Sequence, residues 1–447
     1  MFLPRAFLQH PVCTVLFAAF LAGAGQPALA SADADRVAAV QQRLSGMYPA
    51  LDALYKDLHA HPELGFEENR TAALLAAELR ALGFDVTEKV GKTGVVGLLR
   101  NGQGPTIMVR TDMDALPMEE KTGLPYASKV QTEWRGRSTF VAHSCGHDVH
   151  MAVWVGVARM LATMKGQWRG TLMLVAQPAE ELNAGARAML ADGLFTRFAR
   201  PDVALTLHTD PRPYGTVSYS VGPMTSAANS FEITFHGRGG HGSAPNKTLD
   251  PIVIASRFVT DLQSVVSREK DPRDFGVVSV GAFQAGSSGN IIPDQAVLRG
   301  TIRTYDEQAR KQLIGGVRRV ALASSAAAGA PEPDIHLSDG GHGVVNSEAV
   351  VKPVEAALQA ALGTENVRRT RPLTTSEDFA EYGAAGVPSM MFLIGVLDPR
   401  GVAAAESGSG KPLAFNHSPE FAPVPEPSIR TGVAAMSHAV LKLLADR

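Results

Sequence analysis

The chain has 447 residues, 45% of them apolar, with 42 basic and 44 acidic side chains for a net charge of −2. That length exceeds one ordinary domain and the apolar share can fill sizeable cores, so two domains are expected. Charges of both signs are interspersed rather than blocked, which argues against nucleic acid or an anionic membrane surface as a partner.

Residues 1–30 read as a secretory signal. Arg5 supplies a positive start, residues 12–22 are nearly unbroken apolar, and Ala28-Leu29-Ala30 offers small residues at both positions a signal peptidase reads. The apolar stretch is short for a membrane span. The expectation is cleavage after Ala30 and an exported, periplasmic or secreted protein with no remaining membrane segment. Cys13 would leave with the signal, so Cys145 has no partner for a disulfide within the mature chain. A lone thiol in an oxidising destination calls for another explanation.

From residue 31 to about residue 83 the apolar spacing is helical, through Leu51, Leu54 and Leu58 and again through Leu74, Leu75, Leu79 and Leu82. Short β-rich runs then alternate with helical ones: strands at 106–110, 171–176 and 203–207, helices at 151–164 and 184–191. Such alternation predicts βαβ units and a sheet with helices on both faces. The texture changes near residue 222. Strand 230–235, a helix capped by Asp250 and running to about 268, strands 277–283 and 296–304, a helix over 306–324 and strand 334–337 make a two-layer α+β unit of inserted-domain size. Alternation resumes at Ser347 and ends with strand 389–394 and a helix from Pro427, while residues 402–411, rich in Gly, Ala and Ser, read as pliable. The predicted organisation is a signal (1–30) and an α/β catalytic domain in two pieces (31–221 and 341–447). An inserted lid or dimerisation domain (222–340) interrupts it.

Ligands gather at the carboxyl ends of strands in open α/β sheets. Asp112 and Asp114 follow the strand ending at Arg110, Glu180 and Glu181 follow the next, and His208 follows Leu207. His417 comes after the last strand. With Cys145 and His147 these supply a thiolate, imidazoles and carboxylates suited to zinc, manganese or similar divalent ions. A metal-bound thiolate would also account for the lone cysteine.

Six ordered motifs carry a resemblance: Arg110-Thr-Asp-Met-Asp-Ala-Leu-Pro117, His143-Ser-Cys-Gly-His-Asp-Val-His150, Gln177-Pro-Ala-Glu-Glu181, Gly237-Arg-Gly-Gly-His-Gly-Ser-Ala-Pro245, Ser376-Glu-Asp-Phe379 and His417-Ser-Pro-Glu-Phe421. Together they resemble the amidohydrolase branch (subfamily D) of the M20 metallopeptidases, which includes hippurate hydrolases, N-acyl-amino-acid amidohydrolases and auxin-conjugate hydrolases. The resemblance runs from about His59 to the last helix. It implies two divalent ions per subunit, Zn²⁺ or Mn²⁺ with Co²⁺ or Ni²⁺ as alternatives. Cys145, His147, Glu181, His208 and His417 are the implied ligands, Glu180 the general base, and Asp112 the acid that orients a ligand. Arg110 stands where other M20 enzymes have a histidine ligand, and Cys145 looks like its replacement. His241 resembles the histidine that reaches a neighbouring subunit's site, and Asn290 and Arg303 resemble residues that hold the substrate's carboxylate. The implied substrate is a small N-acyl amino acid and the implied assembly a homodimer or homotetramer.

Two features depart from or compete with this pattern. Asn246 stands where many members have histidine. The His59-x-His61 pair is also a signature of metal-dependent barrel amidohydrolases, but it follows a helically spaced segment rather than a strand and reads as structural. The rival readings are a two-metal aminopeptidase or dipeptidase, which recognises a free amine, and a non-catalytic metal- or peptide-binding protein on the same scaffold. A base such as Glu180 beside a ligand argues against the latter.

Overall fold

The computed structural model describes residues 26–445, with side chains from residue 35 onward. The signal reading rests mainly on residues 1–25, Arg5 and Cys13 among them, which lie outside those described, whereas the expected cleavage site after Ala30 falls within the described backbone of the first helix, Gln26–Ala60. No described helix is long and apolar enough to cross a membrane.

In chain order the main elements begin with α1 (Gln26–Ala60), α2 (Asn69–Ala81), β1 (Asp85–Val90), β2 (Gly94–Asn101), β3 (Thr106–Asp112), α3 (His147–Thr163), β4 (Gly170–Gln177), α4 (Gly185–Ala191), β5 (Val203–Pro213) and β6 (Val217–Tyr219). A second group comprises β7 (Ala227–His236), α5 (Pro251–Ser264), β8 (Gly276–Ala285), β9 (Gln295–Thr304), α6 (Glu307–Ala327) and β10 (Asp334–Leu337). The chain then closes through α7 (Glu348–Leu362), β11 (Val367–Arg369), β12 (Ser389–Leu397), α8 (Pro399–Glu406) and α9 (Pro425–Ala445).

Eight strands form the main sheet in the order β1-β2-β4-β3-β5-β12-β6-β11. Its centre, β4-β3-β5-β12, is parallel throughout, so the carboxyl ends of four strands share one rim. Strand alternation sorts the core into two layers. Leu172, Leu174, Ile107, Val109, Phe392 and Ile394 face α1, α3, α7 and α9, whereas Met173, Val175, Met108, Met391 and Leu393 face the opposite layer around α4. This is the α/β sheet with helices on both faces that the alternation predicts.

The second group makes its own sheet, β8-β9-β7-β10, antiparallel throughout, with α5 and α6 on one face. Phe231, Ile233, Phe258, Leu298 and Leu313 belong to a separate core. The strand, helix, two strands, helix, strand order matches the expected two-layer insert. Its entry and exit lie side by side. Gly222 and Pro223 pair with Asn346 and Val345, and Ala228 exchanges both backbone hydrogen bonds with Gly341.

Four expectations need correction. The helical reading of 31–83 misses a break: Pro62 and Gly65 end the run, and residues 61–68 form a loop between α1 and α2. The helix placed at 151–164 begins four residues earlier, at His147. Strand β5 does not stop at Leu207 but continues to Pro213, so His208 sits within it, opposite Leu393. Finally, much of the supposedly pliable stretch is helix α8, because Asp398 caps it by accepting from the Arg400 and Gly401 N–H groups and Pro399 occupies its first turn.

Candidate metal centre and active site

Each candidate ligand comes from a different element at the rim. Gly146 makes one approach possible: its φ is +89°, and a Cβ there would lie 2.6 Å from Thr209 Oγ1. Immediately after it, α3 begins and presents His147. Cys145 from the preceding loop and His208 from β5 bring Sγ and Nε2 to 3.4 Å. Glu180 and Glu181 follow β4 in a tight turn whose leading residue, Ala179, has φ +50°. His417, itself at φ +68°, is clamped to the same loops. Its N–H donates to Ser144 O at 2.7 Å, and Asn416 Nδ2 donates to Cys145 O at 2.9 Å.

Among the described residues, ligand atoms of Cys145, His147 and His208 lie within 4.8 Å of one another, as do those of Cys145, Glu181 and His417 and those of His147, Glu180 and Glu181. All five candidate ligands and Glu180 thus converge. The donor set fits divalent cations by its own chemistry. His147 Nδ1 donates to the Asp114 carbonyl at 2.7 Å, and His208 Nδ1 to the Thr209 carbonyl at 2.8 Å. That fixes the tautomers and turns each Nε2 toward the shared space. His147 Nε2 is buried and has no hydrogen-bond partner. Such a buried, unpaired nitrogen facing a thiol and carboxylates is costly unless a cation sits among them.

Burial and the charges of Glu181 and Glu180 push the Cys145 thiol well up. A bound cation reverses that preference, since coordination releases the thiol proton. Burial pushes the proton affinity of Glu180 well above the usual carboxylate range, reinforced by Glu377, Glu181 and Asp378. For Glu181 burial works the same way, but His417 and His147 outweigh it and hold the group below its ordinary value. His147 goes to about 10: burial opposes its charge, but Asp112, Asp114 and Glu181 prevail.

Asp112 is wholly buried. Its Oδ1 takes His150 Nδ1 at 2.6 Å and its Oδ2 takes Arg110 at 2.7 Å, while His147 Nε2 lies 3.7 Å from Oδ2. Its direct hydrogen bonds therefore go to His150 and Arg110, neither of them a candidate ligand. Arg110 cannot ligate. Its guanidinium donates to Asp112, Glu377, Asp378 and Gln177, which neutralises the acidic wall behind Glu180.

The remaining candidates divide. Arg303, half-buried on β9, lines a cavity of about 390 Å³ with Asn183, Arg187, Ser230, Thr301 and Ser376, between the insert's open sheet face and the turn after Glu181. His241 and Asn290 lie exposed, His241 pairing with Ile291, and Gly242 N–H donates to Asn290 O. They sit beyond the far end of β9, along which the eight residue steps from Gln295 to Arg303 span roughly 26 Å. One chain therefore does not bring Asn290 and Arg303 to a single carboxylate, and its own His241 stays with Asn290. Asn246 is exposed in the same loop.

Sequence reasoning gave no role to Asp114 beyond its place at the rim, yet its carboxylate accepts the N–H groups of both Glu180 and Glu181. Its signal was the Asp-x-Asp spacing after β3. His150 was visible only as the end of a motif, and neither Asn416, which lies just outside one, nor Glu68, which accepts the Ala179 N–H, carried any signal.

Residues 108–442 match the family model described as peptidase family M20/M25/M40. The chain is 40% identical to a hippurate hydrolase of Campylobacter jejuni over 328 residues, 73% of this chain and 82% of that protein. It is 36% identical to an N-acetyl-L-cysteine deacetylase of Bacillus subtilis over 342 residues, 76% and 79% respectively. Its fold is similar to that of the Bacillus subtilis YXEP protein, described as a dinuclear metal-binding peptidase, with a TM-score of 0.73 at 29% identity, covering 90% of this chain and 99% of the other. The chain belongs to the M20 peptidase family and is an enzyme that acts on amide bonds.

Proposed function

We propose that the protein hydrolyses the amide bond of N-acyl or N-aroyl amino acids, releasing a carboxylic acid and a free amino acid. The reaction would run at a two-cation centre held by Cys145, His147, Glu181, His208 and His417. The observation that carries this reading is the place of Glu180: a buried carboxyl next to Glu181 and 3.8 Å from His147 Nε2, within the same group of converging donor atoms. The hippurate hydrolase and deacetylase relatives support the acyl-amino-acid class, and the dinuclear YXEP protein supports two cations. When bound, divalent cations lower the pKa of water and stabilise negative charge on the acyl oxygen. Glu180 takes the proton of the attacking water and delivers it to the leaving amine nitrogen, which departs poorly without it. Arg303 offers paired N–H donors to the substrate's planar carboxylate in the adjoining cavity. His241 and Asn290 complete the site of a second copy of the chain. Export through residues 1–30 belongs to the same proposal.

The test is a substrate panel on metal-loaded protein: hippurate, N-acetyl amino acids, indoleacetyl conjugates and unblocked dipeptides. N-acyl substrates are expected to turn over and dipeptides are not. Glu180→Gln should lower kcat by about 10²- to 10⁴-fold while its metal content stays unchanged. Cleavage of dipeptides alone would transfer the protein to the peptidases that read a free amine.

A further inference from the structure

The turn that carries Glu180 and Glu181 is held by its backbone. Three consecutive N–H groups donate to two buried carboxylates: Ala179 to Glu68 Oε1 at 2.8 Å, Glu180 to Asp114 Oδ1 at 3.1 Å and Glu181 to Asp114 Oδ2 at 3.0 Å. Asp114 belongs to the rim already described. Glu68 comes from elsewhere, the loop between α1 and α2, and precedes the first residue of α2.

Glu68 is fully buried, and its second oxygen accepts from Thr93 Oγ1 at 2.5 Å. Neither oxygen is spent on capping α2. The carboxylate bridges from the helix entrance to the turn after β4. Its loop also touches the Asp112–Asp114 segment, since Ala115 N–H donates to Glu63 O at 2.8 Å and Leu64 bridges to Ala115. On the other side Gly65 is pressed against the turn so closely that a Cβ there would lie 3.2 Å from Ala179 Cα and 3.1 Å from Leu182 Cδ1. Ala179 at φ +50° occupies a conformation that a non-glycine residue keeps only when its surroundings impose it. Its carbonyl accepts the Ala184 and Gly185 N–H groups at 3.3 and 3.2 Å, and Glu68 supplies the acceptor that holds its N–H.

We propose that Glu68 is a positioning residue of the active site: by accepting the Ala179 N–H it fixes the left-handed turn that keeps Glu181 among the metal donors and Glu180 facing the scissile bond. Loss of that acceptor lets Ala179 relax toward the ordinary backbone region, which swings the following two peptide units. Both carboxyl groups then leave their places together. The inference rests on the proposed two-cation centre, and it predicts a joint loss of metal retention and turnover with little effect on substrate affinity.

Three variants test it: Glu68→Ala, Glu68→Gln and Thr93→Val. Retention of Mn²⁺ or Zn²⁺ against a competing chelator and the separate kcat and KM values are measured on metal-loaded protein, at temperatures where circular dichroism shows each variant folded. Glu68→Ala should weaken metal retention and lower kcat by about 10- to 100-fold each, with KM changed by less than roughly threefold. Glu68→Gln keeps an oxygen for the Ala179 N–H and an amide for Thr93, so it should restore both to within about threefold of the parent. Thr93→Val, which removes only the anchor of the second oxygen, should shift both in the same direction by about two- to tenfold. Parental retention and kcat in Glu68→Ala would overturn the proposal, as would a Gln variant as damaged as the Ala variant, because buried charge rather than the accepted N–H would then be at work. Should Glu68→Ala fail to fold, unchanged retention and kcat in Thr93→Val overturns it. Metal retention is read without substrate. Failure of every N-acyl amino acid to react would therefore defeat the proposed reaction and leave this measurement standing.

Discussion

His59 lies between two carboxylates, 2.6 Å from Asp148 and 3.1 Å from Glu120, and all three side chains are buried. Burial alone would strip the imidazolium of its proton, but hydrogen bonds and charge from Asp148 and Glu120 hold its pKa up at about 10. An unfolded histidine titrates near 6.5. The stability this ion triplet contributes is therefore complete below about pH 6.5 and is lost as pH rises toward 10. At the acid end the sign reverses. Asp148 and Glu120 titrate below their ordinary values, and their share is lost as pH falls through those depressed pKa values. His59→Ala should cost about 3 to 5 kcal/mol at pH 7, because it leaves two buried charges without their partner. The gap in melting temperature between variant and parent should narrow from pH 7 to pH 10; a gap that stays constant would show that the histidine is neutral in the folded protein. The helical spacing before His59 made it legible as structural, and it takes part in none of the donor groups. Its partners lay 61 and 89 residues away, beyond the reach of any local pattern.

At the scale of elements, the catalytic body is held by helices crossing at close range. In α3, Gly156 faces α9 and α1, and a Cβ at that position would lie 2.4 Å from Val433 Cγ2 and 3.0 Å from Leu51 Cδ1. Alanine would gain about 1 kcal/mol of helix propensity over glycine. Overpacking against a stiff β-branched side chain in a dense core costs about 1 to 3 kcal/mol, so Gly156→Ala should be destabilising on balance. Denaturant unfolding followed by circular dichroism checks the sign, and a stabilised variant would mean that the helices separate freely there. Long periodic elements were legible: the helices of both domains, the parallel core strands and the order of elements in the insert all follow from spacing. Strands β1 and β2 were not, because Gly91, Gly94 and Gly97 interrupt their pattern and β2 is buried along most of its length, so alternation does not show. Helix α8 escaped for the opposite reason: its Gly and Ala content looked like linker, while the capping role of Asp398 depends on only two backbone contacts.

At the scale of the whole molecule, the candidate metal donors were legible as residue types near the strand rim and the resemblance implied their roles, but the backbone clamps by Asp114 and Glu68 were invisible because they bind N–H groups that every sequence has. The separation of Arg303 from His241 and Asn290 was equally hidden, since it depends on which end of β9 each occupies. That separation is what the proposed pairing of two copies explains. Ile252, Val253, Phe283 and Ile291 leave apolar side chains exposed on the insert, where an isologous contact could bury them. Mixing His241→Ala with Glu180→Ala protein should recover activity from two inactive preparations once subunits exchange, because some mixed dimers join an intact metal centre to an intact histidine. With exchange demonstrated and no recovery, the histidine does not act on a partner's centre.

The side-by-side crossing of the insert's two connections has a consequence for how such a chain could arise and be rebuilt. Gly222–Pro223 and Val345–Asn346 leave and rejoin the main body as neighbouring rungs of one short ladder. To that body the whole excursion is no more demanding than a surface loop, since its ends are already together and its apolar core is separate from those of the main body. The insert is thus a cassette that can be lengthened, exchanged or replaced in one recombination event without redrawing the sheet that holds the metal donors. Under the proposed roles of Arg303, His241 and Asn290, substrate selection and pairing would then vary while the candidate metal donors of the main body stay in place.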